Sequence, residues 1–286
     1  MDISIDGVSI FVHEAGSPLG YPLFVLHGGP GLDHTEMSPW LDPLGDTFRL
    51  LYVDERGQGR SQRVDPATLL LSVFAADVTR LAEALALPRY ALLGHSFGSF
   101  ITLAHAIEQG GASHYVISSG TASFSKSAPE IERNLAEFEP IALREQVTQS
   151  WALEPHARTQ EDVARLMEMQ MPFHFASAES DAYRRYIAAQ AGREIFSPGV
   201  LAYFAAHEYA IEYEDQLGAI RKPTLILAGA ADRTCTPRAA RELHAGISGS
   251  ELVIFPDAGH MTYVEQPAMY FTAVRDFFVR HPAPGA

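Results

Sequence analysis

The chain has 286 residues, 47% of them hydrophobic, enough apolar mass for one large α/β domain with an insertion. Its formal net charge of −14 and isoelectric point near 5.2 argue against a nucleic-acid or anionic-membrane partner, since both want a basic face. The single cysteine, Cys235, excludes an intramolecular disulfide framework and a thiolate-rich metal cluster.

The first residues, Met1-Asp2-Ile3-Ser4-Ile5-Asp6, lack the basic and apolar stretches of a signal peptide, and no apolar run reaches membrane-spanning length. A cytoplasmic protein without a membrane partner is the expectation. Residues 8–13 alternate apolar and polar side chains, the pattern of an early antiparallel strand. Residues 22–26 are continuously apolar, as in a strand buried on both faces, and end in His27-Gly28-Gly29-Pro30-Gly31. A second such run, 49–53, ends in Asp54-Glu55-Arg56-Gly57-Gln58-Gly59-Arg60-Ser61. Helical spacing of Val73, Phe74, Val78, Leu81 and Leu85 follows over 72–87. The next apolar run breaks sharply at Gly94-His95-Ser96-Phe97-Gly98, and a helix rich in small residues is expected from 97 to 108. Residues 114–120 read as another strand and its turn.

Between 121 and 214 the chain turns charged, alanine-rich and helical, with scattered prolines. Strand character resumes at 222–229 and 251–255, and a last helix covers 266–280. Strands alternating with helices predict a mostly parallel, doubly wound α/β sheet with an inserted helical cap. The core would comprise residues 1–120 and 215–286, and the cap 121–214.

Gly94-His95-Ser96-Phe97-Gly98 is a G-x-S-x-G nucleophile elbow in its strand–turn–helix setting. The turn strains its central residue and presents Ser96 at the positive end of a helix, where developing negative charge is stabilised. A serine needs a base to take its proton and a carboxylate to hold the base's tautomer. On this fold they follow in the order Ser, Asp or Glu, then His. Asp232 and His260 come after two late strands and complete the set Ser96, Asp232, His260. Asp257, near His260, is the alternative carboxylate, although turn chemistry accounts for it. His95 is a second candidate base whose simpler job is local packing, and His27 is expected to brace the glycine loop. The oxyanion hole is assigned to the backbone N–H groups of Phe97 and Gly29, because Pro30 has none. The histidines show no metal-binding spacing, and neither metal nor cofactor is expected. Cys235 reads as a small core residue.

The His27–Gly31 box, the Asp54–Ser61 box, the elbow, the Asp232 loop and the Gly259-His260 turn together resemble the proline iminopeptidase family of α/β-hydrolases. The chain departs from that family at Glu55, where glutamine is usual, and at His95-Ser96-Phe97, where many members have Gly-Ser-Trp. The resemblance implies a serine aminopeptidase that releases an N-terminal residue, preferentially proline, from small peptides with a free N-terminus. It further implies acidic cap side chains that bind the substrate ammonium and an apolar pocket for the ring. If residues 203–214 are helical, Glu208 and Glu212 share a face and become the expected amine anchors, with Glu194 and Glu214 as weaker candidates. Phe173, Phe175, Tyr203 and Phe204 are candidates for the apolar pocket or for cap–core packing. An esterase, lactonase or carbon–carbon bond hydrolase using the same triad is the alternative. A non-catalytic ligand-binding protein is a third reading.

Overall fold

The computed structural model describes residues 1–207 and 211–282. One eight-stranded sheet runs in the order β1-β2-β4-β3-β5-β6-β7-β8. Its strands are β1 Asp2–Ile5, β2 Val8–Gly16, β3 Tyr21–Leu26, β4 Phe48–Val53, β5 Ala91–His95, β6 Tyr115–Ser118, β7 Thr224–Gly229 and β8 Glu251–Phe255. The β1/β2 and β2/β4 pairings are antiparallel, and every pairing from β4 across to β8 is parallel. Every residue of β5, β6 and β7 is buried, which is why their sequences read as unbroken apolar runs. The expected doubly wound sheet is therefore present.

Successive strand residues point to opposite faces and feed two separate cores. Phe24, Leu26, Leu92 and Ile117 pack on one face with α1 (Leu71–Ala84) and α2 (Phe97–Glu108). Leu23, Val25, Leu93 and Val116 pack on the other, beneath Tyr270, Val274 and Phe277 of the last long helix. The helices α3 (Phe124–Ala136), α4 (Ile141–Leu153), α5 (Gln160–His174), α6 (Asp181–Gln190) and α7 (Pro198–Ala206) all lie between β6 and β7. They are followed by α8 (Pro237–Gly246), α9 (Thr262–Glu265) and α10 (Pro267–Arg280). No helix among the described residues is long and apolar enough to cross a membrane.

Two readings of the sequence are revised. Strand β1 was not expected; it pairs with β2 through Asp6-Gly7, both with positive φ, an Asp-Gly hairpin turn. Residues 203–214 do not form one helix, because α7 stops at Ala206 and His207 is already extended. Glu212 instead forms an isolated bridge with Ser123. The Phe124 N–H donates to Ile211 O at 2.8 Å, and Tyr213 N–H to Ala122 O at 2.8 Å. A helix through 211–213 would have to break both bonds. The two ends of the helical excursion are thus stitched together where it leaves and rejoins the sheet.

Strand β3 is flanked by β4 on one side and β5 on the other, so the chain reverses direction across the sheet there. Such switch points open a crevice at the carboxyl ends of the strands. Helix α2 crosses that crevice tightly. A Cβ on Gly98 would lie 2.4 Å from Leu26 O and 2.6 Å from His27 O, and the Gly98 N–H donates to His27 O at 2.9 Å. Backbone atoms on both sides leave nothing flexible to yield. Gly98→Ala is expected to destabilise the chain by about 1–3 kcal/mol. The fall should appear in the urea midpoint with an unchanged m-value.

Candidate active site

Ser96 joins the end of β5 to the start of α2 with φ 52° and ψ −115°, a conformation that L-residues rarely adopt. Helix dipole and strain coincide at this residue, as the elbow predicts. Its N–H is anchored to Ser118 O at 3.0 Å, at the end of β6. The Phe97 N–H opens α2, while the Phe97 ring is buried edge-on against Phe74 and Phe204.

The glycine loop after β3 is held by its own backbone. Gly28 N–H donates to a Glu36 carboxylate oxygen, and Gly31 N–H donates to Gln58 Oε1 at 2.5 Å. His27 Nδ1–H donates to Gly28 O at 2.7 Å. Gly29, at φ +116°, makes no hydrogen bond through its N–H among the described residues, which leaves it the loop's uncommitted donor.

Asp232 and His260 come from the loops after β7 and β8, and both are buried. His260 Nδ1–H donates to Asp232 Oδ2 at 2.8 Å, so that the neutral ring carries its lone pair on Nε2. The other carboxylate oxygen accepts from Thr234 N–H at 2.9 Å, Thr234 Oγ1 at 2.9 Å and Cys235 N–H at 3.0 Å. Burial alone would push the imidazole pKa down. The Asp232 charge and hydrogen bond, with Glu36 and Glu265 farther off, raise it above its ordinary value. Burial likewise opposes the Asp232 anion, but His260 and the Thr234 bonds keep its pKa low. Asp257, the rival carboxylate, is exposed in the turn after β8.

His260 meets the elbow through the His95 ring, whose centroid is 4.8 Å from its own. Ser119 Oγ, from the end of β6, also donates to His260 O at 2.8 Å. His95 is fully buried, and its Nε2 has no partner. Burial, then the nearby His260 and His174, push its pKa well down, so it remains a neutral packing ring. The Cys235 thiol is buried beside Asp232, and burial followed by that carboxylate's charge push its pKa well up.

The site also holds acids that sequence reasoning missed or ranked low. Glu36 is buried and its pKa is raised to about 7 by desolvation, with Asp33 adding to the rise. Glu194 is raised to about 8 by burial and then by the charges of Asp33 and Glu36. It lines a cavity of about 400 Å³ in the cap with Met167, Met171, Tyr186, Gln190 and Phe196. In that wall Gln190 is 4% exposed, and its Oε1 is buried without a hydrogen-bond partner. Glu55 lies with Oε2 3.3 Å from His27 Nε2 and accepts from Gln58 Nε2 at 2.9 Å, and its Oε1 has no partner. Burial, then Glu36 and Asp54, push Glu55 well above its usual range. A neutral carboxyl has the planar shape of an amide, so Glu55 fits where the resembled family carries glutamine.

The expected amine anchors fare differently. Glu208 lies outside the described residues. Glu212 is exposed, and it accepts from Ser123 Oγ at 2.7 Å and Ser125 N–H at 2.9 Å at the base of the excursion. It is not on a helix and is already engaged, so the shared helical face is corrected. Glu214 pairs with Lys126. Phe173 and Phe175 are fully buried in ring clusters, with Phe138 and Trp151 and with Tyr183 and Tyr186 respectively. Tyr203 and Phe204 line a second cavity, of about 290 Å³, beside Phe97.

Asp33, His34 and Asp54 have spacing that a metal ion could use. Their atoms are already committed. Arg60 Nη1 lies 3.1 Å from Asp33 Oδ2, and His34 Nδ1 lies 2.6 Å from Asp54 Oδ1.

The family model described as "alpha/beta hydrolase fold" matches residues 21–267. A proline iminopeptidase of Lactobacillus crispatus is 28% identical over 274 residues, covering 91% of this chain and 90% of its own. Among solved structures, a proline iminopeptidase of Mycobacterium smegmatis superposes with a TM-score of 0.76 at 21% identity, covering 98% of each chain. The enol-lactonase of Burkholderia xenovorans superposes at 0.74 and 21%, covering 98% of this chain and 100% of its own. At those identities the structures share the fold, and the fold alone does not separate amide from ester chemistry.

The electrostatics of His260 can be read without a substrate. Its imidazole is expected to titrate above 6.5, its ordinary value, in an NMR titration assigned by comparison with His260→Gln. In Asp232→Asn the raising charge is gone and burial dominates, so the same resonance should titrate below that value.

Proposed function

The chain belongs to the α/β-hydrolase fold family, and from that premise we propose that it is a serine aminopeptidase releasing an N-terminal residue, preferentially proline, from small peptides. Ser96, His260 and Asp232 form its triad, and residues 121–214 form the cap. His260 Nε2 takes the Ser96 Oγ proton as the oxygen attacks the scissile carbonyl. The N–H groups of Phe97 and Gly29 receive the oxyanion, each contributing about 10²–10³ in turnover. His260 then protonates the leaving amine, and the same imidazole activates the water that releases the acyl group.

One observation carries the choice of an amine substrate. Glu36 is buried and Glu194 half-buried, the charge of Glu36 acts on Glu194, and their pKa values are raised to about 7 and about 8. Buried carboxyls of this kind call for a cation. A substrate ammonium supplies it, ionises the acids and is held by charge-assisted hydrogen bonds. Glu194 and Gln190 line the same cavity, whose methionine and aromatic walls suit a pyrrolidine ring. An ester or lactone would leave this acidic wall unused. The Lactobacillus crispatus relative, named a proline iminopeptidase, points the same way.

Wild-type protein should cleave L-proline p-nitroanilide and leave its N-acetyl derivative intact; equal rates on the two would defeat the amine reading. Ser96→Ala should fold normally, by circular dichroism, and lose about 10⁶ in turnover. Glu194→Gln should raise KM for the free-amine substrate by roughly 10- to 100-fold. Its hydrolysis of p-nitrophenyl acetate should barely change.

A further inference from the structure

The cap reaches the catalytic loops through a short segment at the end of α5. Residues 173–176 pass between the loop that carries Asp232 and the loop that carries His260, and both loops bond to them. From one side comes Arg233, the residue after Asp232. Its Nη1 donates to Phe173 O at 3.2 Å and to Phe175 O at 2.7 Å, and its Nη2 donates to Ala176 O at 3.3 Å. The guanidinium lies 4.8 Å from the Phe138 ring centroid, and Asn134 of α3 holds the Arg233 carbonyl at 2.9 Å.

From the other side comes the base itself. The His260 N–H donates to His174 O at 2.7 Å. Glu265, in α9, accepts from Ala176 N–H through Oε1 at 2.8 Å and from Gly259 N–H through Oε2 at 2.7 Å. The N–H of His260 and of the residue before it are therefore fixed to the cap, one directly and one through Glu265. The fit allows no slack: a Cβ on Gly259 would lie 2.6 Å from Ala176 N and 2.7 Å from His174 O. The His174 ring also packs 5.2 Å from the His260 ring.

None of these groups touches the reacting atoms, yet together they set where the backbone of His260 stands relative to Asp232. We propose that Arg233 and Glu265 are positioning residues that clamp the 173–176 segment between the two catalytic loops, so that the base is aligned only while the cap is seated. The inference rests on the reading of Ser96, His260 and Asp232 as a hydrolytic centre. It makes the cap a structural part of the base and not only a cover for the substrate. A single guanidinium satisfies three carbonyls through a planar fork that a lysine ammonium lacks. An amide at position 265 presents one N–H end to a site that holds two N–H donors, so one of the two bonds is lost.

The test uses Arg233→Lys and Glu265→Gln, with Arg233→Met and Glu265→Ala as the more severe pair. Folding is followed by circular dichroism and thermal melting. Alignment of the base is followed by the rate at which a fluorophosphonate labels Ser96, and by kcat and KM on L-proline p-nitroanilide. Misplacement by about 1 Å costs on the order of 10² in rate. The conservative variants should therefore stay folded, label roughly 10- to 100-fold more slowly and lose kcat by a similar factor, with KM within about threefold. Folded variants that label and turn over at the wild-type rate would overturn the clamp. So would losses that track only the folded fraction. Should the severe pair fail to fold, the conservative pair decides. Failure of wild-type Ser96 to label at all would defeat the hydrolase reading instead, a result distinct from either.

Discussion

A carboxylate shut away from water survives as an anion only where hydrogen bonds replace its hydration shell. Asp232 is such a group, 3% exposed at the end of β7. Its loop folds back so that two backbone N–H groups, a threonine hydroxyl and the His260 imidazole all converge on it. Much of the surrounding architecture serves that arrangement. Strands β7 and β8 run parallel so that their carboxyl ends open side by side, and the end of β6 holds the His260 carbonyl. The fixed tautomer and the raised basicity of His260 are both consequences of one buried charge.

The same region concentrates acids with fewer donors around them. Near Asp232 the anion is matched by donors, whereas desolvation outweighs the nearby positive groups at Glu36 and at Glu194, and the charge of Glu36 adds to the rise at Glu194. Glu55 takes the opposite solution and remains neutral against His27. Four acids in one neighbourhood thus meet three fates, set by their local partners and not by residue type.

What the sequence disclosed follows from how local each constraint is. The elbow, the late-strand loops and the parallel sheet were legible because a strained turn and doubly buried strands leave only a few residue types acceptable over short spans. The hairpin that makes β1 has its own local signature in Asp6-Gly7. Glu36 was not legible, because an acid in Asp33-His34-Thr35-Glu36 looks solvated until the tertiary fold buries it. The acid at 212 misled, since helical spacing is meaningful only where a helix forms, and the returning chain pairs with Ala122 and Phe124 instead. Arg233 and Glu265 bind main-chain groups, and carbonyls and amides have no signature in a sequence. Cap residues in general lacked a local rule to betray where their side chains go.

Cys235 sits behind Asp232 with its sulfur enclosed and its proton firmly held. As the chain's only thiol, it turns the loop after β7 into a built-in clock. A maleimide reaches that sulfur only during excursions that open the loop, so the rate of alkylation counts how often it opens. The same seclusion spares the resting protein from oxidants and alkylating agents, which attack exposed thiolates.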